Sequence, residues 1–361
     1  MCTLNNVVVS RKIQSNRNKS LDVAKGLLMI SVVAGHIANF PFGEVFYFYH
    51  VAGFFLLSGF FFNYNKYATS ILSFILSRKK IIIQYVGYSL LFIFLHNYFT
   101  HLNIQPINTM EYASSDYVTA IITSITIPTE PLSGAMWFIP VLVIMQIVFY
   151  IINRVTTPIN RKGDFLSVLV IVLFFIGWWL VKGKYISENQ DLNKYIPNAQ
   201  FFVYLPFFYV GFLFKNKGLE LLKSSRILIP CFAIMAMSYI SLRPTLYLYG
   251  EVDPFLFISL SFISIAFIIG ISYHINYTPV VNMLKFIGEN TLHILALHFL
   301  FFKLGTLILI CLGKLPSSAL HDIGAPSDGE MLANLVYFVC GVFGPLLVVT
   351  LYSQIKKIIF R

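Results

Sequence analysis

The chain has 361 residues, 57% of them hydrophobic and only 11% charged, where an ordinary soluble protein carries about 25% charged residues. Mean hydropathy is +0.76 and phenylalanine alone contributes 36 residues. So few charges cannot cover a water-facing surface, so most of the surface must face lipid. The four cysteines, Cys2, Cys231, Cys311 and Cys340, stand far apart with no Cys-x-x-Cys pair, which suggests neither a disulfide framework nor a zinc site.

A bilayer-crossing helix needs about 20 mainly apolar residues. In chain order, this predicts spans at 22–41, 45–63, 81–99, 136–153, 165–181, 201–214, 227–242, 255–274, 288–311 and 331–353. The expected fold is an all-α bundle of ten spans, read as one membrane-embedded domain over 1–361 with a tail at 1–20 and no separate soluble domain. The net charge of +11 imitates a nucleic-acid binder until its placement is mapped. With a cytoplasmic N-terminus, 20 of the 26 Lys and Arg fall in inside segments; Lys182, Lys184, Lys194, Arg243 and Lys314 fall outside, and Lys303 within a span. That asymmetry predicts both termini inside and makes the basic excess topological rather than a nucleic-acid surface. The first span leads directly into a second and lacks a small-residue cleavage site, so it reads as a retained helix and not a signal peptide. The outside loop near 100–135 is long enough for a short helix on the membrane surface.

Ionisable groups inside membrane helices are costly and mark functional candidates. In the first span, KSLDVAKGLLMISVVAGHIANF, Lys25 and His36 are eleven residues apart, which is within about 20° of three whole helical turns and about 16 Å along the axis. They share one face. Asp22, three residues before Lys25, pairs with it across one turn. The stripe reads either as a route across the bilayer or as an interfacial anchor with a hydrogen-bonded core histidine.

The second span, FYFYHVAGFFLLSGFFFN, carries His50 near its outer end and Ser58-Gly59 deeper; small residues there also suit close helix packing. At the head of the third, Arg78, Lys79 and Lys80 can grip phosphates, attract anionic lipid or simply mark the inside face. Trp137 in MWFIPVL reads as an interfacial aromatic or a site-lining residue. His293 and His298 are five residues apart, about 140° around the helix, and present no common metal-binding face. With no His-x-x-x-His motif, P-loop or Gly-x-Ser-x-Gly, nothing indicates a metal oxygenase, ATPase or serine hydrolase.

Several of these blocks, in this order, resemble the acyltransferase 3 family of integral membrane O-acyltransferases, in particular bacterial members that acetylate surface-polysaccharide sugars. LDVAKG followed by VVAGH is similar to the family's basic-x10-His signature through Lys25 and His36. FYHVAGFFLLSGFFF resembles its His-x-x-x-Phe-Phe-x-x-Ser-Gly block through His50, Phe54, Phe55, Ser58 and Gly59. WFIPVL, FFYVGFLFKNK and IGENTLHILALH resemble three later blocks. Gln84, Thr291 and Leu295 depart from the frequent Pro, Ser and Tyr.

The resemblance implies transfer of an acetyl or other acyl group from cytoplasmic acetyl-CoA, as donor substrate and with no metal, to a hydroxyl of a lipid-linked or surface glycan at the outer face of a bacterial inner membrane. Residue chemistry and the resemblance together make His36 and Asp22 the expected catalytic residues, His36 as base, and assign Lys25, Arg78, Lys79 and Lys80 to the CoA phosphates. His50, Ser58, Trp137 and His298 are expected to line the site, with Ser58 or a water as oxyanion donor. Direct transfer and an acyl-His36 intermediate both remain open. The competing class is a proton-coupled transporter or flippase of a glycan or small solute, using Asp22, Lys25 and His36 as a proton relay.

Overall fold

The computed structural model describes residues 19–67, 70–157, 164–186, 200–215, 219–242 and 253–359. Most of the 1–20 tail therefore lies outside the described residues, as do Lys194 and Arg243. Among the described residues the chain is helical, without a strand; one isolated parallel bridge joins Ile37 to Ala325.

The helices run α1 (Lys19–Gly35), α2 (Gly43–Phe61), α3 (Ile71–Ser77), α4 (Lys79–Phe94), α5 (His96–His101), α6 (Ser114–Thr123), α7 (Phe138–Thr156, entered through a 3-10 turn at Pro131–Trp137) and α8 (Asp164–Ile186). They continue as α9 (Gln200–Phe214), α10 (Ser225–Leu242), α11 (Pro254–His274), α12 (Thr278–Glu289), α13 (Thr291–Cys311) and α14 (Met331–Ile359). Each of the ten predicted stretches contains a helix. Among the described residues, five helices, Gly43–Phe61, Pro131–Thr156, Pro254–His274, Thr291–Cys311 and Met331–Ile358, are long and apolar enough to cross a membrane.

Two boundaries differ from the sequence expectation. The first helix ends at Gly35, and the chain then turns through residues 36–42, with Asn39 and Phe42 at φ of 53° and 61°. The predicted 288–311 stretch is two elements: α12 ends at Glu289, Asn290 breaks the helix, and α13 starts at Thr291. Being short, with Pro279 in its first turn and few buried residues, α12 offers no long apolar run to a span search.

Helix α1 is the hub, packing against α2, α11, α12, α13 and α14. The apposition to α12 is close: a Cβ on Gly26 would strike the Leu284 carbonyl, and one on Gly288 the Asp22 carbonyl. Helices α2 and α9 meet likewise, Gly59 against the Phe208 carbonyl and Gly211 against that of Leu56. Small residues at both crossings let backbones approach where hydrophobic association is weak. Phe62, Phe74, Phe149 and Phe208, all fully or almost fully buried, pack together where the chain leaves α2.

Candidate active site

The close packing of α1, α2, α7, α9 and α13 leaves a cavity of about 560 Å³ between them. Along its wall α1 contributes Lys25, Met29, Val32 and His36, positions spaced three or four apart and so on one helix face. Of the polar stripe read from the sequence, Lys25 and His36 thus line a cavity. At its Lys25 end the lining includes Arg78, Phe61 and Glu289; at its His36 end it includes Tyr47, His50, Trp137 and Gln200.

His36 stands one residue beyond α1, where the last four carbonyls of the helix need partners. The side chain answers one of them, since Nδ1 lies 2.7 Å from the Val32 carbonyl. The His36 amide takes the Val33 carbonyl at 3.1 Å and the Ile37 amide that of Ala34 at 3.2 Å, and the Tyr47 hydroxyl donates to Gly35 at 2.8 Å. A carbonyl only accepts, so in a neutral His36 the proton sits on Nδ1 and the lone pair on Nε2. The helix end fixes both the ring's orientation and its tautomer.

His50 and His298 repeat that geometry, with Nδ1 on the carbonyl of Phe46 at 2.5 Å and of Leu295 at 3.0 Å. Both side chains are buried. His298 does not line the cavity. It packs behind His36 with ring centroids 5.2 Å apart, and Phe299 meets the His36 ring edge-on at 5.0 Å. The His298 Nε2 has no hydrogen-bond partner. Among the described residues no group of three His, Cys, Asp or Glu can hold a metal ion.

At the opposite end, the Lys25 ammonium lies 3.4 Å from Asp22 and 4.5 Å from the centroid of the Phe61 ring. Asp22 itself is buried and outside the lining. It is fourteen residues from His36, about 21 Å along the helix, so its direct contact is with Lys25 and not with the chemistry at His36. Arg78, the junction between α3 and α4, rests over the Phe74 ring at 5.0 Å and leaves its Nε without a hydrogen-bond partner. Lys79 and Lys80 are exposed and form no part of the lining. Only Arg78 of the basic triplet turns into the cavity.

Between the two ends lies Ser58, whose hydroxyl accepts from Gln146 Nε2 at 2.6 Å. Trp137 faces Tyr204 at 6.3 Å between centroids, and Tyr204 stacks on Phe55 at 4.9 Å. The sequence reading did not single out Gln146, Gln200, Tyr204 or Glu289. For Gln146 a signal exists, a lone amide within the apolar run FIPVLVIMQIVFYII, where a polar group must find a partner.

A membrane-embedded helical bundle with a half-buried, tautomerically fixed histidine at one end of an internal cavity and cations at the other can offer a base and an anion-binding end along one wall. The chain belongs to the acyltransferase 3 family, whose model, described as an acyltransferase domain, matches residues 18–354. It is a multi-pass membrane acyltransferase. No curated protein and no solved structure matches the chain.

Proposed function

We propose that the protein moves an acetyl group from cytoplasmic acetyl-CoA to a hydroxyl of a lipid-linked or surface glycan at the outer face of a bacterial cytoplasmic membrane. In this reading ten helices span the bilayer with both termini inside. The supporting observation is the cavity that has Lys25 and Arg78 at one end and His36 at the other.

CoA phosphates bind at Arg78 and Lys25, where guanidinium and ammonium groups meet the aqueous side. Arg78, with its unpartnered Nε, carries more of this contact than Lys25, whose charge is partly answered by Asp22. The pantetheine arm then lies along the α1 face toward His36. Ser58, eight residues inward of His50, sits about 12 Å from that level. It therefore meets the arm rather than the thioester, and the oxyanion donor is not Ser58.

The acceptor sugar enters at the outer end against Trp137, with a hydroxyl directed at His36. Nε2 takes the hydroxyl proton as the oxygen attacks the thioester carbonyl; the tetrahedral intermediate collapses, the C–S bond breaks, and Nε2–H returns the proton to the departing CoA sulfur. Val32 holds Nδ1–H throughout, so one nitrogen serves as base and then acid.

The test is transfer from radiolabelled acetyl-CoA to endogenous glycan by membranes containing the protein. Labelled glycan above that of membranes without the protein supports the reading. Solute movement with no thioester consumed would instead favour the proton-coupled transporter.

A further inference from the structure

Lys303 takes no part in the chemistry above, yet it is an ammonium group buried at 3% exposure within the apolar helix TLHILALHFLFFKLGTLILIC. A cation at such a position is costly and persists where specific partners hold it. Its Nζ donates to the carbonyl of Leu320 at 2.8 Å and to that of Asp322. Between α13 and α14, the Leu320 carbonyl lies in the 3-10 turn Ser317–His321 and the Asp322 carbonyl just past it, where irregular backbone begins. Irregular backbone within a membrane protein needs its polar groups satisfied internally, and a lysine supplies up to three donors from one side chain.

The far side of the same segment grips His36. The Ala325 amide donates to the His36 carbonyl at 3.3 Å, and the Ala38 amide donates back to the Ala325 carbonyl at 3.0 Å, forming the Ile37–Ala325 bridge. Asn39 Nδ2 adds a bond to the Ser327 carbonyl at 2.8 Å. The His36 and Ile37 amides close the last turn of α1 onto Val33 and Ala34, and the strap holds what that turn leaves over, the His36 carbonyl and the Ala38 amide. Lys303 grips it within five residues of the bridge on one side, and Asn334 on α14 holds Ser327 on the other, accepting from Ser327 Oγ at 2.8 Å.

We propose that Lys303 is a positioning residue: by fixing the strap at 320–322 it fixes the His36 backbone, and thereby the direction in which His36 Nε2 meets its substrate. The inference rests on the reading of His36 as base, but its structural half does not. A Lys303→Met variant keeps the apolar stem and loses the donors, whereas Lys303→Arg keeps donors to both carbonyls.

Two readouts separate the outcomes. The first is the rate at which a neutral maleimide labels a cysteine introduced as His36→Cys, quantified at that site by peptide mass spectrometry, with and without Lys303→Met. Release of the strap should raise that rate at least tenfold, with Lys303→Arg restoring the slow rate. The second, in the His36 protein, is acetyl transfer. Lys303→Met should lower kcat at least tenfold with the KM for acetyl-CoA unchanged, and Lys303→Arg should recover most of it. An unchanged labelling rate overturns the proposal, as does faster labelling with kcat intact. If even the unaltered protein transfers no acetyl group, the acyl-transfer reading fails, and the labelling rate alone decides whether Lys303 holds the strap on residue 36.

Discussion

Four of the described histidines share one device. His36, His50, His274 and His298 each turn Nδ1 back onto a carbonyl of their own helix, which leaves Nε2 as the basic atom in every case. Only His36 and His50 line the cavity, and only His36 sits at a helix end whose carbonyls are otherwise satisfied by backbone amides and Tyr47. This predicts that His36→Ala lowers transfer by about 10² to 10⁴-fold, the usual cost of removing a general base, with expression and membrane insertion unchanged; near-normal turnover would exclude His36 as the base. The mouth predicts a different signature. Arg78→Ala should raise the apparent KM for acetyl-CoA more than Lys25→Ala does, because Lys25 already shares its charge with Asp22, and steady-state kinetics at varied donor distinguishes the two. Lys79→Ala should leave donor KM unaltered, since Lys79 is outside the cavity.

At the scale of elements, what the sequence makes legible follows from contrast. Lys25 and His36 stand out because they are polar residues at helical spacing in an apolar run, and the structure places both on one cavity wall. Arg78, Lys79 and Lys80 are consecutive, and successive helical residues point about 100° apart, so composition cannot say which one turns inward. Helix α12 escapes notice because it is short and only one face is buried. Gly59 and Ser58 look alike as a small-residue pair, yet Gly59 packs on α9 while Ser58 faces the cavity; the residue that each meets lies more than 80 positions away, beyond the reach of local pattern. The α2–α9 crossing yields a stability prediction. Gly211→Val forces a side chain against the Leu56 carbonyl and should lower stability by about 1–3 kcal/mol, the range for overpacking. Gly87, with open space around its would-be Cβ, is the control: Gly87→Ala should leave the melting temperature of the detergent-purified protein unchanged or raised. Equal loss in both variants would mean that the crossing is not closely packed.

For the whole molecule, the reaction proposed has a direction that neither a soluble transferase nor a transporter shares. Lys25 and His36 are about 16 Å apart along α1 and line one cavity, so donor phosphates and acceptor hydroxyl are separated by much of the hydrocarbon thickness, roughly 30 Å. The charge distribution supplies the sign of the proposal: with 20 of the 26 Lys and Arg in segments read as inside, the Lys25 end is expected on the cytoplasmic side. A cysteine at Lys217 should then resist an impermeant thiol reagent in intact cells, while one at Lys314 should react; the reverse pattern would invert the orientation, and two reactive sites would break the span count between them. Given that orientation, sealed vesicles of defined sidedness should transfer acetyl groups only when acetyl-CoA is on the cytoplasmic side and glycan on the other, with free CoA released where the donor was supplied. Donor added on the glycan side should give no product, because CoA phosphates placed near His36 would meet Trp137, Tyr47 and Phe138 instead of Arg78. Product formed equally from either side would show that the cavity does not separate the two substrates, and unmodified glycan crossing without thioester consumption would assign Asp22, Lys25 and His36 to proton relay instead of acyl transfer.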